Sequence, residues 1–293
     1  MLINTVLVFL QNILPIFVVL SLLFAQRDVS HQLSKQEKQN TSDLPLINLR
    51  KTLGMGLIIV LFLSYFMPEV SQLFSGTGLE IVFSILFSLI YCSIVISFLH
   101  TRVTSHIPEQ GKIFPKQQRL TQQKSVVNLV VLLLVLCIHG SNFSLYIMSL
   151  TIQNTAIDTL YSGIVVGVII GTGICLSIAI LLYFVLVTLV KKTRCQIVCY
   201  FLLLFGVGQL IQGLQLLEQV DIISSNVPLW STNYLIAEDS ELGYFLTILF
   251  GYEATPSVIE LLVYLCALTV PILTAKLLVY KLSSMTSFMK GTS

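Results

Sequence analysis

Residues 125–150 read SVVNLVVLLLVLCIHGSNFSLYIMSL. The run is long enough to cross a bilayer as one helix and holds no Lys, Arg, Asp or Glu. Its centre nevertheless carries His139, Ser141 and Asn142. Residues 2–25 repeat the pattern, an apolar run interrupted by Gln11, Asn12 and Pro15. Polar groups are costly in hydrocarbon, so such clusters usually face a bundle interior and mark a pathway or a site. These two hold amides and an imidazole without a carboxylate.

Working outward from these runs, the chain has 293 residues, of which 55% are hydrophobic and 10% charged, with a mean hydropathy of +0.90. That balance excludes an ordinary soluble domain and predicts an all-α polytopic membrane protein forming a single membrane domain. Apolar stretches of about 18–25 residues give seven spans. They lie near 2–25, 52–68, 79–100, 125–150, 160–190, 195–217 and 257–280. No basic segment precedes the first run, which therefore reads as a retained span rather than a cleaved signal.

All 16 Lys and Arg residues fall on one side of this layout. They follow spans one, three, five and seven, which places that side in the cytoplasm and the N-terminus outside. A plasma (inner) membrane location is expected. The opposite side carries Glu69, Glu80, Asp158, Glu218, Asp221, Glu238, Asp239, Glu241 and Glu253. An acidic outer face without bases attracts cations weakly, and it is also the plain complement of the positive-inside rule.

Residues 26–51 and 101–124 are Gln-, Lys- and Ser-rich and are expected to be mobile cytoplasmic linkers. They divide the chain into spans one to three, four to six and a seventh. Three spans per group put the groups in opposite orientations, as in inverted-repeat transporters. Residues 218–256 form the longest outer loop, where alternating polarity predicts a short helix on, or dipping into, the membrane surface, and Trp230 an interfacial anchor. Gly163, Gly167 and Gly171, with Gly173 beyond, mark span five as a helix-packing surface, and Gly54 and Gly56 echo it in span two. The six cysteines lie in or at the ends of spans and imply no disulfide framework. Asn40-Thr41-Ser42 fits a glycosylation pattern on the cytoplasmic side, where it is silent.

Three polar stripes stand out. His139, Asn142, Tyr146 and Ser149 share one face of span four, and Gln209, Gln212, Gln215 and Glu218 recur every third residue in span six. Asn4, Gln11 and Asn12 mark span one. Either the stripes line a common polar path, or they are hydrogen bonds between helices, worth about 1 kcal/mol each. Pro15 either breaks span one, exposing a carbonyl to a solute, or simply kinks it. Glu260, near the outer end of span seven with Ser257 and Tyr264 beside it, is a functional candidate as an intramembrane carboxylate. The path candidates are thus Gln11, Asn12, His139, Asn142, Gln212, Gln215, Glu218 and Glu260. No P-loop, nucleophile elbow, zinc-protease motif or metal-spaced His/Cys cluster occurs, so neither an enzyme nor a cofactor is expected, and nucleic acid is not an expected partner.

Residues 238–264, EDSELGYFLTILFGYEATPSVIELLVY, resemble the C-terminal signature of the high-affinity iron permease (iron/lead transporter) family. The run Gly251-Tyr252-x-Ala254-Thr255-Pro256-Ser257 is its most specific part, and 1–24 and 195–221 resemble the family's first and sixth spans. The resemblance implies seven spans in a 3+3+1 plan and inward transport of iron or another cation. It also implies an external iron-oxidising or iron-delivering partner. The family's Arg-Glu-x-x-Glu motifs fall here on Gln11-Asn12-Ile13-Leu14-Pro15 and His139-Gly140-Ser141-Asn142-Phe143, and Gln215 and Gln219 stand where span six has His and Glu. No acidic or arginine position of either motif is present. The alternative expectation is therefore a non-transporting homologue acting as partner subunit of a membrane iron-uptake complex, and either a homo-oligomer or a hetero-oligomer with an intact permease fits the chain.

Overall fold

The computed structural model describes residues 2–34, 44–104, 115–153, 157–193, 196–224, 228–237 and 240–291. Its helices are α1 (Leu2–Ser34), α2 (Leu44–Ser71), α3 (Gly78–Thr104), α4 (Pro115–Gln153), α5 (Ile157–Thr193), α6 (Gln196–Gln219), α7 (Glu241–Phe250) and α8 (Val258–Gly291), with a 3-10 turn at Leu73–Gly76. Among the described residues there is no strand, and seven of the helices are long and apolar enough to span a membrane. The chain is an all-α, multi-pass membrane protein.

Helix boundaries depart from the sequence reading at the basic end. There α1 continues to Ser34, α2 begins at Leu44, α3 runs to Thr104 and α4 begins at Pro115. Much of both expected linkers is therefore helical. Their Gln, Lys, Arg and Leu residues are good helix formers, and polarity alone does not end a helix. Residues 35–43, which include Asn40-Thr41-Ser42, and 105–114 lie outside the described residues, as does Cys195. α1 also runs unbroken through Pro15, so a kink, not a break, is the fitting account of that residue.

The core sits among α1, α3, α4 and α6. Val18, Val19, Leu22, Ile90, Ile94, Val131, Val135, Ile138, Leu202 and Phe205 are all but inaccessible there. Of the seven spans, that of α6 is the most buried inside the bundle and that of α2 the least, so α6 is central and α2 peripheral. Gly167 and Gly171 let α5 approach Thr5 and Phe9 of α1, while Gly56 and Gly140 bring α2 and α4 together around Leu136 and Val60. The packing expected of the glycine stripe is thus made by Gly167 and Gly171, whereas Gly163, Gly173 and Gly54 face open space.

The helix pairings have a regularity. α1 packs on α5 as α4 packs on α2; α3 packs on α4 as α6 packs on α1; α2 touches α3 as α5 touches α6. The remaining pairs, α1 with α4 and α3 with α6, are the two that an exchange leaves unchanged. Swapping α1–α3 with α4–α6 therefore reproduces the contact pattern of all six helices.

Candidate functional site

Between α3, α4 and α6, at the acidic end of the bundle, lies a cavity of about 470 Å³. α3 contributes Leu79, Glu80, Phe83 and Phe87; α6 contributes Gln212, Gln215, Leu216 and Gln219; α4 contributes Asn142. Positions 80, 83 and 87 recur at i, i+3 and i+7, as do 212, 215 and 219, so each helix turns one continuous face to the cavity. Glu80 and Gln219, at the ends of their helices, form the mouth. Phe87 and Gln212 lie roughly 10 Å deeper on the helical rise per residue. Glu80 sits in the first turn of α3, where the helix dipole favours an acidic side chain. Its Oε2 is buried without a hydrogen-bond partner.

Beneath the cavity, His139 and Gln209 are 5% and 0% exposed, and His139 Nε2 lies 3.1 Å from Gln209 Oε1. Gln209 Nε2 in turn donates to Gln212 Oε1 at 3.5 Å. With its amide nitrogen so used, Gln209 accepts at Oε1 from the imidazole N–H, and a line of donors runs from His139 to the cavity floor. The Phe87 ring meets the His139 ring edge-on, centroids 6.0 Å apart, so one phenyl group both walls the cavity and covers the histidine. Ser141, fully buried beside Asn142, has no hydrogen-bond partner at Oγ.

Of the sequence candidates, Asn142, Gln212 and Gln215 line the cavity and His139 lies under it. Gln11 and Asn12 are half-buried on α1 and do not line it; Asn12 Nδ2 donates to Val8 O one turn back at 2.8 Å. In the span-four stripe, Tyr146 turns toward Thr5 of α1, its hydroxyl 3.4 Å from Thr5 Oγ1. The cavity is therefore lined by α3, α4 and α6, and not by Gln11 or Asn12 of α1.

Glu260 has a structural employment. Its Oε2 accepts the Ser257 N–H at 2.7 Å, and its own N–H donates to Ser257 Oγ at 3.2 Å. Ser257 precedes the first residue of α8, so this S-x-x-E pair is a reciprocal capping box. Ser257 Oγ also donates to Glu218 Oε1 at 3.3 Å, pinning α8 to the end of α6. Both carboxylates stand outside the cavity lining. The acid inside a span is accounted for by the orphan donors of a buried helix start.

The segment before α8 dips into the bundle. α7 is capped by Ser240 Oγ, which accepts from Gly243 N–H, and ends at Gly251, whose φ of 66° suits glycine. A Cβ on Gly251 would stand 2.7 Å from Gly208 Cα, so this end of α7 abuts the midpoint of α6, about 16 Å below that helix's acidic end. Tyr264 Oη donates to Phe250 O at 2.9 Å, and Thr247 Oγ1 donates to Tyr252 O at 2.7 Å. Bonds Thr232 N–H to Ala254 O and Leu229 N–H to Pro256 O then carry the chain back to the surface, near the half-exposed Trp230. Irregular backbone at this depth is tolerated because protein groups satisfy it. Gly251-Tyr252-x-Ala254-Thr255-Pro256-Ser257 thus serves as a re-entrant turn.

At the basic end, α1, α3, α4 and α6 are tied by a second network. Asn128 Nδ2 donates to Gln26 Oε1 at 2.9 Å, Ser97 Oγ donates to Asn128 Oδ1 at 2.6 Å, and Gln26 Nε2 reaches Thr101 Oγ1 and Cys199 Sγ. Gln26, Ser97 and Cys199 are buried, so the network lies inside the bundle at the end opposite the cavity.

No family model, curated protein or solved structure matches this chain. The site is therefore read from its own groups. Glu80, Phe83 and Phe87 were not among the sequence candidates, although their helical spacing was present in the sequence. Among the described residues no group of three or more His, Cys, Asp or Glu could hold a metal ion.

Proposed function

We propose that this chain is a membrane permease that admits a cation from the acidic side of the bundle. One observation carries the proposal: the cavity of Glu80, Asn142, Gln212, Gln215 and Gln219 opens at that end, while the Gln26–Asn128 network closes the other. A bundle of two exchangeable triplets with a cavity at one end and a seal at the other suits alternating access. The distribution of basic residues supports an acidic side facing outward, an inward direction of transport and a cytoplasmic C-terminus.

The resemblance to iron permeases supports inward movement of a cation. The donor set argues for a cation of low charge instead of a ferric ion. A single carboxylate among amides does not offset the desolvation of a trivalent ion. Purified protein in vesicles, loaded on one side with labelled cations, tests the proposal: uptake above that of empty vesicles is expected.

A second reading has one observation in its favour. The two positions of the ferric motif are neutral, and Asn12 spends its amide on its own helix. A homologue that assembles with an intact permease, and moves nothing alone, would look the same there. Protein-free and protein-containing vesicles taking up equal label would favour it.

A further inference from the structure

We infer that the cavity takes a small organic ammonium ion, not a bare or hydrated metal ion; the inference rests on the permease reading above and names its substrate class. The charge is set by Glu80, the one ionisable residue among the described residues that line the cavity, and none of those is basic. One carboxylate matches one positive charge.

The walls set the rest. Phe83 and Phe87 follow Glu80 along one face of α3, and Leu79 and Leu216 complete an apolar side. A metal ion that keeps its waters gains nothing from these groups. One that sheds them needs several converging charged oxygens, and the described residues hold no such cluster. An ammonium bearing carbon substituents uses both halves of the site: its charge pairs with Glu80 and is attracted to phenyl faces, while its substituents replace water on the apolar side. The amides of Asn142 and Gln215 supply carbonyl oxygens for N–H donors and amide hydrogens for any oxygen on the ligand. About 470 Å³ lies within the range of small-molecule sites and is far more than one ion needs.

The test uses the full chain in vesicles with labelled tetraethylammonium, whose permanent charge prevents leakage through lipid, beside labelled rubidium and ferrous iron. Tetraethylammonium uptake at least ~10-fold above rubidium is expected, a difference of about one decade in selectivity. Glu80→Gln should abolish it. Phe83→Leu, which keeps the wall apolar, should lower the tetraethylammonium-to-rubidium ratio several-fold, and this ratio stands even if Glu80→Gln does not fold. Uptake of rubidium or iron without tetraethylammonium would overturn the organic class and leave a permease. Uptake of none of the three would overturn the permease reading and this inference with it.

Discussion

Ser257 and Glu260 hold each other: the carboxylate accepts the serine N–H at 2.7 Å, and the glutamate N–H donates to the serine hydroxyl at 3.2 Å. The acid that sequence alone marks as an intramembrane functional group is the third residue of a helix, closing its capping box. Glutamine serves the same geometry. Glu260→Gln should therefore retain transport and lose less than ~1 kcal/mol of stability, whereas Glu260→Ala should lose about 1–2 kcal/mol. Thermal unfolding of the purified variants in detergent, beside uptake, checks both. Transport abolished by Glu260→Gln at unchanged stability would return Glu260 to the site.

The turn at Gly251 makes a sharper structural prediction. Its positive φ and its approach to Gly208 leave no room for a Cβ. Gly251→Ala should cost more than about 1 kcal/mol, through backbone strain and displacement of α7 from α6. Gly54, around which space is open, is the control, and Gly54→Ala should be neutral or slightly stabilising. Equal melting temperatures for Gly251→Ala and wild type would show that α7 does not dock on α6.

At the basic end, the Gln26–Asn128 network is expected to act as the closed gate. Gln26→Leu removes partners from Asn128, Thr101 and Cys199 together. A water-soluble maleimide should then modify Cys199, which is 1% exposed in the intact bundle, at least ~10-fold faster, consistent with a loss of about 1.4 kcal/mol of closure. Fragment-ion assignment of the adduct to Cys199 separates it from Cys92, Cys195 and Cys266. An unchanged rate would mean that the seal is held by packing alone.

His139 and Gln209 are predicted to be coupled. Truncating either leaves a buried polar group without its partner, so His139→Leu and Gln209→Leu should each cost about 1–3 kcal/mol. The double variant should cost less than their sum by about 1 kcal/mol. Additive losses in a double-mutant cycle would show that the 3.1 Å contact carries no energy.

Span number and helical class were legible because apolar length and the one-sided distribution of Lys and Arg are local, additive properties of a sequence. The cavity was half legible. Asn142, Gln212 and Gln215 stand out as amides in hydrocarbon, but Gln11 and Asn12 look identical in sequence and face elsewhere, because an amide can satisfy itself on its own helix, as Asn12 does at Val8. Glu80 was hidden by its place at a helix end, where an acid reads as a surface charge. Phe83 and Phe87 were hidden among ordinary apolar residues. Glu260 reads in sequence as an acid inside a span, whereas the structure puts it in the first turn of α8, buried and bonded to Ser257. The seal at Gln26 and Asn128 spans four helices, and no spacing along one of them announces it.

The central claim is that solute passes through the cavity between α3, α4 and α6. Gln215→Cys, reconstituted in vesicles and treated with a membrane-impermeant methanethiosulfonate, tests it most directly. Cation flux should fall at least ~10-fold when the reagent is added on the acidic side, with no effect on the parent protein. Full flux after complete modification of the introduced thiol would place the path elsewhere and contradict the account.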